Sequence, residues 1–334
     1  MKRENALTAR AVFCLRLLMI SAATLAASSA LAADRIKIVA QKTGTFAWEL
    51  AVIHAHGLDR KAGLDIETTE LASTGAGQIA LKGDSADLIL SDWLWVARER
   101  ALGDDLVFYP YSSALGGVMV PQNSAIRTIA DLRTRKLGVA GGPLDKSWLL
   151  LQALGRRSGI DLKAQANIAY GAPPLLSAMA LQGKTDATLT FWNFCVGLEA
   201  NGMRRAITMS DVMTKLGASG PVAMVGYVFH GGWAEHNHAL LARFFAVTSE
   251  AKNILAGSPA EWQQLAPRIG VSGDAALEIY RQRYIEGIPR RPVADEFADA
   301  QVLYRILSDA GGPDLVGQAR ELAPGTFYSA GPSE

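Results

Sequence analysis

The sequence has few cysteines and no marked excess of charge of either sign. It contains two cysteines in 334 residues, and 33 lysines and arginines stand against 32 aspartates and glutamates. Two cysteines exclude a cysteine-based metal cluster. The balanced charge gives no electrostatic reason to expect nucleic acid or an anionic lipid surface as a partner. We therefore expect no metal, no cofactor and no nucleic-acid partner.

The sequence also lacks a hydrophobic run long enough to cross a membrane. The nearest is "LLMISAATLAA", which follows four basic residues and is shorter than the roughly 20 residues of a membrane helix. Because Ala30-Leu31-Ala32 has the small-residue pattern of a cleavage site, residues 1–32 are predicted to be a signal peptide cleaved near Ala32. Its removal takes away four basic residues and one acidic residue, so the net charge changes from +1 to −2. Cys195 is then the one remaining cysteine, which excludes an internal disulfide.

What the sequence does contain is an internal repeat with an offset of about 100 residues. In this alignment Asp87 corresponds to Asp186, and Trp93 to Trp192. Three segments recur in the same order, which makes chance similarity a poor explanation. They are "RIKIVAQ" (35–41) with "RKLGVAG" (135–141), "GLDIET" (63–68) with "GIDLKA" (159–164), and "ALKGDSADLILSDWLWVARERALG" (80–103) with "ALQGKTDATLTFWNFCVGLEANG" (180–202).

Each repeated unit has the pattern strand, helix, strand, helix, strand. Short apolar runs end in glycine-containing turns, and helical patterns lie between them. Strands that alternate with helices form mostly parallel sheets covered on both faces, and ligands bind beyond the carboxyl ends of such strands. Two units therefore predict an α/β protein with two lobes, each a mostly parallel sheet flanked by helices, around one shared cleft.

The repeat ends near residue 203, and the chain then returns to the first lobe. An apolar stretch near 222–229 is predicted to be a strand that rejoins the first sheet. Extended crossings near 117–123 and 217–225 would link the lobes as a two-strand hinge. The predicted boundaries are 33–119 plus 224–334 for the first lobe and 120–223 for the second.

Several segments, taken in their order and spacing, resemble those of a known family. "IKIVAQ", "GLDIE", "ALKGDSADLIL", "AIRTIADLRTRKLGVAGG" and "ALQGKTDATLTFW" resemble periplasmic substrate-binding proteins of ABC importers of the nitrate/sulfonate/taurine type, close to thiamine-precursor binding proteins. The resemblance covers roughly residues 35–260. It implies the type II periplasmic binding protein fold, a periplasmic location and capture of a small molecule by lobe closure. It also implies a monomer that meets the membrane only through an ABC permease and its ATPase.

Loops at the predicted strand ends supply candidate ligand-binding residues. Hydroxyl and N–H groups at helix starts favour anions and polar acceptors. Trp93 and Trp192 are expected to clamp a flat or cationic ligand from opposite sides, and packing of these rings beneath their loops is the alternative. Asp92 favours an amino or amidine group, whereas many relatives bind anions. No arginine lies in these loops, so a sulfonate-like ligand and a heteroaromatic or amine ligand both remain open. The candidates are Thr43, Thr45, Phe46, Ser73, Thr74, Gly75, Ser91, Asp92, Trp93, Ser112, Gly142, Asp145, Lys146, Thr190, Trp192 and Asn193.

Other functions remain as alternatives. "TGAGQIA" (74–80) nearly matches the dinucleotide fingerprint of an NAD-dependent dehydrogenase, but it follows the second strand of its unit, and the chain carries an export signal. An enzyme that processes a precursor on the same two-lobed fold is a second alternative, although the pyrimidine-forming enzymes of this kind have a Cys-rich segment that is missing here. A ligand sensor for a membrane receptor is a third, because it needs the same closure. His230, His236 and His238 have no carboxylates at ligand spacing in the sequence, so we expect surface histidines.

Overall fold

The computed structural model describes residues 33–42, 44–271 and 273–329. The predicted signal peptide, residues 1–32, and the candidate Thr43 lie outside the described residues. Within the described ranges, no helix combines the length and the apolar character that a bilayer crossing needs.

Strands and helices alternate along most of the described chain before residue 209. The strands are β1 (Asp34–Gln41), β2 (Leu64–Leu71), β3 (Leu88–Ser91), β4 (Leu106–Ser112), β5 (Gly117–Pro121), β6 (Lys136–Ala140), β7 (Asn167–Gly171), β8 (Ala187–Thr190), β9 (Met203–Thr208) and β10 (Val225–His230). The helices of the two repeated units are α1 (Thr45–His56), α2 (Leu58–Lys61), α3 (Thr74–Lys82), α4 (Trp93–Ala101), α5 (Lys146–Arg157), α6 (Leu162–Gln165), α7 (Pro173–Leu181), α8 (Trp192–Ala200) and α9 (Met209–Leu216). The C-terminal helices are α10 (Gly231–His236), α11 (His238–Gly257), α12 (Pro259–Ile269), α13 (Asp274–Glu286) and α14 (Val293–Val316), the last of which is broken at Gly312.

The strands form two five-stranded sheets, one in each lobe. The first has the order β2-β1-β3-β10-β4 and the second the order β7-β6-β8-β5-β9. In each sheet one strand runs antiparallel to both neighbours, β10 in the first and β5 in the second. These are the strands that arrive directly from the other lobe, so they start at the edge where the other strands end. The predicted α/β class with two lobes is confirmed, and β10 rejoins the first sheet as expected.

Two crossings connect the lobes. Residues 113–116 lead from β4 to β5, and residues 217–224 lead from α9 to β10. The first crossing ends earlier than the sequence suggested, because Gly117 already pairs with Thr190 in the second sheet. Gly116 cannot carry a side chain here, since a Cβ would lie 1.6 Å from the carbonyl oxygen of Thr190. Gly117 is therefore already part of the second sheet.

The internal repeat has a direct structural counterpart in two aspartates. Asp87 Oδ2 accepts a hydrogen bond from Lys37 N at 2.7 Å, and the aligned Asp186 Oδ2 accepts one from Lys136 N at 2.7 Å. Each bond ties the turn before the third strand of a unit to the start of its first strand, and these two strands are parallel neighbours in each sheet. The sequence alignment thus identified equivalent positions in the two lobes.

The C-terminal helices contact both lobes. Helix α13 packs on α8 of the second lobe, while α14 packs on α4 of the first lobe and on α5 of the second. Tyr304 of α14 is completely buried in a core that also contains Trp93 and Leu150. The two lobes are therefore joined by packed helices in addition to the two crossings.

Candidate functional site

A cleft of about 420 Å³ lies where the carboxyl ends of the two sheets meet. The first lobe contributes the ends of β1, β3 and β4 and the starts of α1 and α3, and the second lobe contributes the starts of α5 and α8. Apolar walls alternate with hydroxyl groups. The lining consists of Val39, Gln41, Gly44, Thr45, Phe46, Ser73, Thr74, Gly77, Ile89, Leu90, Ser91, Asp92, Tyr111, Ser112, Ala114, Leu115, Gly116, Asp145, Lys146, Ser147, Leu150, Phe191, Trp192, Met224 and Val225.

Five helices begin at this cleft, and side chains cap three of them. Ser73, Asp92 and Asp145 cap α3, α4 and α5 by accepting backbone N–H groups at 3.0–3.2 Å. Gly44 before α1 and Phe191 before α8 provide no side-chain cap. The first N–H groups of a helix have no partner inside the helix and carry partial positive charge. Two positive helix ends therefore meet the cleft from opposite lobes.

One ion pair joins the lobes at the rim of the cleft. Lys146 Nζ, at the start of α5, lies 2.8 Å from Asp92 Oδ2, before α4. Burial by itself would lower the pKa of Lys146, but the Asp92 carboxylate raises this pKa above its ordinary value. The ammonium is therefore charged at neutral pH. The same two side chains also line a more open groove of about 700 Å³ outside the cleft, so the pair separates the groove from the cleft.

A buried polar network supports the floor of the cleft. Tyr111 Oη and Thr45 Oγ1 are 3.0 Å apart, and Lys252 Nζ lies 4.2 Å from the centre of the Tyr111 ring. Lys252 in turn is 2.6 Å from Oε2 of Glu49, which is completely buried. Burial raises the pKa of Tyr111 well above its ordinary value, so the phenol remains protonated. Helices α1 and α11 are thus tied together beneath two groups that face the cleft.

Trp192 makes the aromatic wall of the second lobe. Its ring lies 6.1 Å from that of Trp48 in α1 and 6.1 Å from that of Tyr280 in α13, both nearly edge to face. Such aromatic pairs contribute stability in addition to that gained from the apolar area they bury. An aromatic contact and an ion pair thus hold the lobes together at different points of the cleft.

The family model described as NMT1/THI5 like matches residues 50–262, which is more than half of the chain. The chain belongs to the NMT1/THI5-like family. The resemblance found in the sequence is thereby confirmed. No individual curated protein matches the chain significantly.

Solved structures share the fold of this NMT1/THI5-like protein at low sequence identity. The periplasmic aliphatic sulphonate binding protein SsuA from Escherichia coli has a TM-score of 0.71 and 20% identity, over 89% of this chain and 92% of that one. The alkanesulfonate-binding protein SsuA from Xanthomonas axonopodis pv. citri, bound to MOPS, has a TM-score of 0.65 and 19% identity, over 88% and 98%. The desulfurization enzyme DSZB has a TM-score of 0.52 and 16% identity, over 83% and 92%. These matches establish the two-lobed fold.

Most of the predicted site residues lie together in this family member. Those in the cleft lining are Thr45, Phe46, Ser73, Thr74, Ser91, Asp92, Ser112, Asp145, Lys146 and Trp192. Their contact with a ligand stays a prediction. Asp92 Oδ1 accepts the N–H of Trp95 and Asp92 Oδ2 accepts from Lys146, so the Lys146 ammonium neutralises the charge that was expected to attract a ligand amine.

Trp93 does not line the cleft. Its side chain has no exposed surface, its Nε1 donates to the carbonyl oxygen of Ala223 at 3.0 Å, and its ring lies 6.1 Å from that of Tyr304. The expected clamp between Trp93 and Trp192 is therefore wrong. Helix α14 covers the position in the first lobe that the repeat suggested would be open.

Four other candidates lie outside the cleft lining. Gly75 faces the outer groove, and Gly142 precedes Asp145 in the loop without reaching the cleft. Thr190 is buried behind the first crossing, and Asn193 offers its backbone oxygen to Tyr280 Oη at 3.0 Å.

The apolar part of the cleft lining was not predicted from the sequence. Val39, Ile89 and Leu150 lie on regular elements, where an apolar residue is indistinguishable from an ordinary core residue. Leu115 and Met224 lie in the two crossings. The available signal was the crossings themselves, since a segment that starts at the cleft edge must line the cleft.

His230 has carboxylate neighbours that the sequence spacing did not reveal. Its Nδ1 lies 2.5 Å from Asp105 Oδ1 and 3.5 Å from Asp104 Oδ1. The ligand atoms of the three residues lie within 4.8 Å of one another, which is close enough to hold a metal ion. Asp105 Oδ2 also accepts from Gly232 N at 2.7 Å. Hydrogen bonds within the cluster therefore account for this arrangement without an ion.

Proposed function

We propose that this NMT1/THI5-like protein is an exported solute-binding protein. It captures one small organic molecule between its lobes and delivers it to the permease and ATPase of an ABC importer. The observation that carries this proposal is the cleft of about 420 Å³, which takes its walls from both lobes and is bridged by Lys146 and Asp92. A ligand that contacts both lobes stabilises the closed arrangement over an open one, which is the basis of capture by closure.

The cleft is a better ligand site than the larger groove outside it. Among the described residues that line the groove, Lys146 is the only one from the second-lobe sheet or the helices of its repeated unit. A ligand in the groove would therefore gain few contacts when the lobes close. The cleft has residues of α1, α3, α5 and α8 around it. For the lobes we propose residues 33–116 with 225–329, and 117–216, with the crossings 113–116 and 217–224 as the hinge.

The geometry favours an acid with an apolar body as the ligand. The uncapped starts of α1 and α8 supply N–H donors and positive charge from opposite lobes. Ile89, Leu115 and Leu150 supply apolar walls. Asp92 is neutralised by Lys146, so it gives no preference for an amine. Two solved structures of the same fold are named as sulfonate-binding proteins, and a sulfonate is therefore the first ligand to test.

An enzyme on the same fold is the second candidate, because DSZB is an enzyme with this fold. The described cleft lining argues for binding instead. Its ionisable groups are Asp92 and Lys146, which neutralise each other, Asp145, which caps α5, and Tyr111, whose pKa is raised by burial. Cys195 is completely buried outside the cleft, and burial raises the pKa of its thiol to about 11, so it is a poor nucleophile.

A thermal-shift and calorimetry screen of the mature protein tests this function. Alkanesulfonates, carboxylates, aminopyrimidines and amines are compared, and a ligand at 100 times its dissociation constant adds about 2.7 kcal/mol of stability. We expect a sulfonate or carboxylate to stabilise the protein and to be recovered unchanged. Trp192→Ala should abolish the shift, whereas Trp233→Ala, which removes a tryptophan packed on Phe229 away from the cleft, should not. Stabilisation by amines alone would refute the ligand class, and a chemically altered ligand would refute a binding function.

A further inference from the structure

A second cavity, of about 330 Å³, lies behind the first crossing. It shares Ala114, Leu115, Gly116 and Trp192 with the cleft, so these residues form a wall between the two spaces. Its other sides come from β9, from Pro221 in the second crossing and from α13. We call this space the hinge cavity, because both crossings border it.

The hinge cavity contains a buried arginine whose hydrogen-bonding capacity is not used. The side chain of Arg205, on β9, is only 11% exposed. Its Nη2 is fully buried and has no hydrogen-bond partner among the described residues. Its Nε lies 2.8 Å from Glu199 Oε1, but at an angle that does not form a hydrogen bond. An unsatisfied buried donor is costly, and in a native structure it indicates a missing partner such as a water or an ion.

A second arginine borders the hinge cavity, and its guanidinium already donates to carboxylate groups. Arg283, on α13, binds both carboxylate oxygens of Glu199 at 3.1 Å and Glu286 at 2.7 Å. Glu286 is more than half exposed, so water screens its charge. Glu199 therefore serves two arginines at once. Glu199 and Glu286 balance the charge of the two arginines, and Arg205 Nη2 remains as a buried donor that no carboxylate of the described chain reaches.

We propose that the hinge cavity is a second binding site, for a small carboxylate or oxyanion held by Arg205 and Arg283. Guanidinium groups bind such anions through charge-assisted hydrogen bonds, which are shorter and stronger than neutral ones. The hydroxyl group of Ser210 also borders the space. A water takes roughly 30 Å³ in the liquid, so a cavity of this size has room for an organic acid of several heavy atoms.

An anion in the hinge cavity would contact both crossings, strand β9 of the second lobe and the C-terminal helix α13. Ser113–Gly116 and Pro221 belong to the two crossings, and Arg205 and Arg283 belong to the second lobe and to the C-terminal helices. Binding there would therefore alter the preference of the hinge for one lobe arrangement. This inference goes beyond capture in the cleft and does not need the cleft ligand to be known.

Calorimetry with inorganic sulfate on the mature protein tests the inference. We expect sulfate to bind, and Arg205→Gln to weaken binding by about tenfold or more, since one charge-assisted hydrogen bond is worth about that factor. Arg204→Gln is the matched control. It removes the same charge from the next residue of β9, whose guanidinium instead binds the carbonyl oxygens of Ser124 and Ile126. Sulfate affinity should be unchanged in that variant.

Crystals of the wild-type protein soaked in selenate keep the test independent of variant folding. A selenium anomalous peak beside Arg205, with a selenate oxygen within hydrogen-bond distance of the Arg205 guanidinium, would support the site. A peak confined to the cleft, with sulfate binding lost in Lys146→Met but kept in Arg205→Gln, would overturn it and leave the cleft function standing. The absence of both sulfate binding and a peak would also overturn it, and would indicate that water satisfies Arg205.

Discussion

The ion pair between Lys146 and Asp92 should hold the lobes closed, and its removal should open them. At 2.8 Å the bare attraction is large, but the side chains are 34% and 20% exposed. Solvent screening and side-chain ordering reduce the net value of such a pair to about 1 kcal/mol. Because about 1.4 kcal/mol is a factor of ten, the ratio of closed to open molecules should fall about five-fold in Lys146→Met. High salt should reduce the ratio in the wild type in the same direction.

Asp92→Asn is the informative partner variant. Asparagine caps a helix as well as aspartate does, so the start of α4 is preserved while the charge is removed. Each single variant and the double variant should open the protein to the same extent, because the same pair is broken in all three. Lys184→Met, an exposed lysine outside the cleft lining, is the control for loss of charge.

Spin-label distances between the lobes provide the assay, with one label on α7 and one on α3. The pKa of Lys146 is raised by Asp92, which outweighs the opposing effect of burial, so its ammonium is more stable in the folded protein than in the unfolded chain. The contribution of the pair is therefore fully present below the ordinary lysine pKa and is lost as pH rises through the raised value. Unchanged distance distributions in both single variants would refute the role of this pair in closure.

Three further predictions concern groups around the cleft. Trp93→Ala should lower the free energy of unfolding by about 3–5 kcal/mol, because the buried indole leaves a cavity against Tyr304, while ligand affinity changes far less than in Trp192→Ala; equal losses of affinity would contradict the packing role. Lys252→Met should destabilise by about 3–5 kcal/mol in chemical denaturation, because it strands the buried Glu49 carboxylate, and adding Glu49→Gln should restore part of the loss. Gly116→Ala should lower the melting temperature and displace the first crossing, since its Cβ would meet the Thr190 carbonyl oxygen at 1.6 Å, and a wild-type melting curve would show that the crossing can move freely.

The architecture could be predicted from the sequence because the repeat encodes it locally. The sequence alignment of Asp87 with Asp186 identified equivalent turns in the two lobes. Each aspartate accepts the same backbone hydrogen bond from the first strand of its unit. The positions of strand ends follow from short apolar runs and glycine turns, and strand ends determine where a cleft forms. This is why most of the candidate residues lie in one cleft.

The repeat could not predict the burial of individual side chains, because the C-terminal helices lie outside it. Trp93 and Trp192 occupy equivalent positions, yet α14 covers the first with Tyr304 while the second reaches the cleft and packs on Trp48. The neutralisation of Asp92 could not be predicted either, because it depends on a contact between the lobes. Asp92 and Lys146 are 54 positions apart in separate units, and no pattern in the sequence indicated that they would neutralise each other.

The first crossing connects the two proposed sites through one short piece of chain. Ala114–Gly116 forms a wall of the cleft on one side and a wall of the hinge cavity on the other. Gly116 is held against the Thr190 carbonyl oxygen so closely that no side chain fits, so the segment has little room to move independently of the second sheet. If the two spaces bind different ligands, each ligand fixes the same wall and favours one lobe arrangement. Thermodynamic linkage then requires that an anion in the hinge cavity changes the affinity of the cleft, and that the cleft ligand changes the affinity for the anion by the same factor.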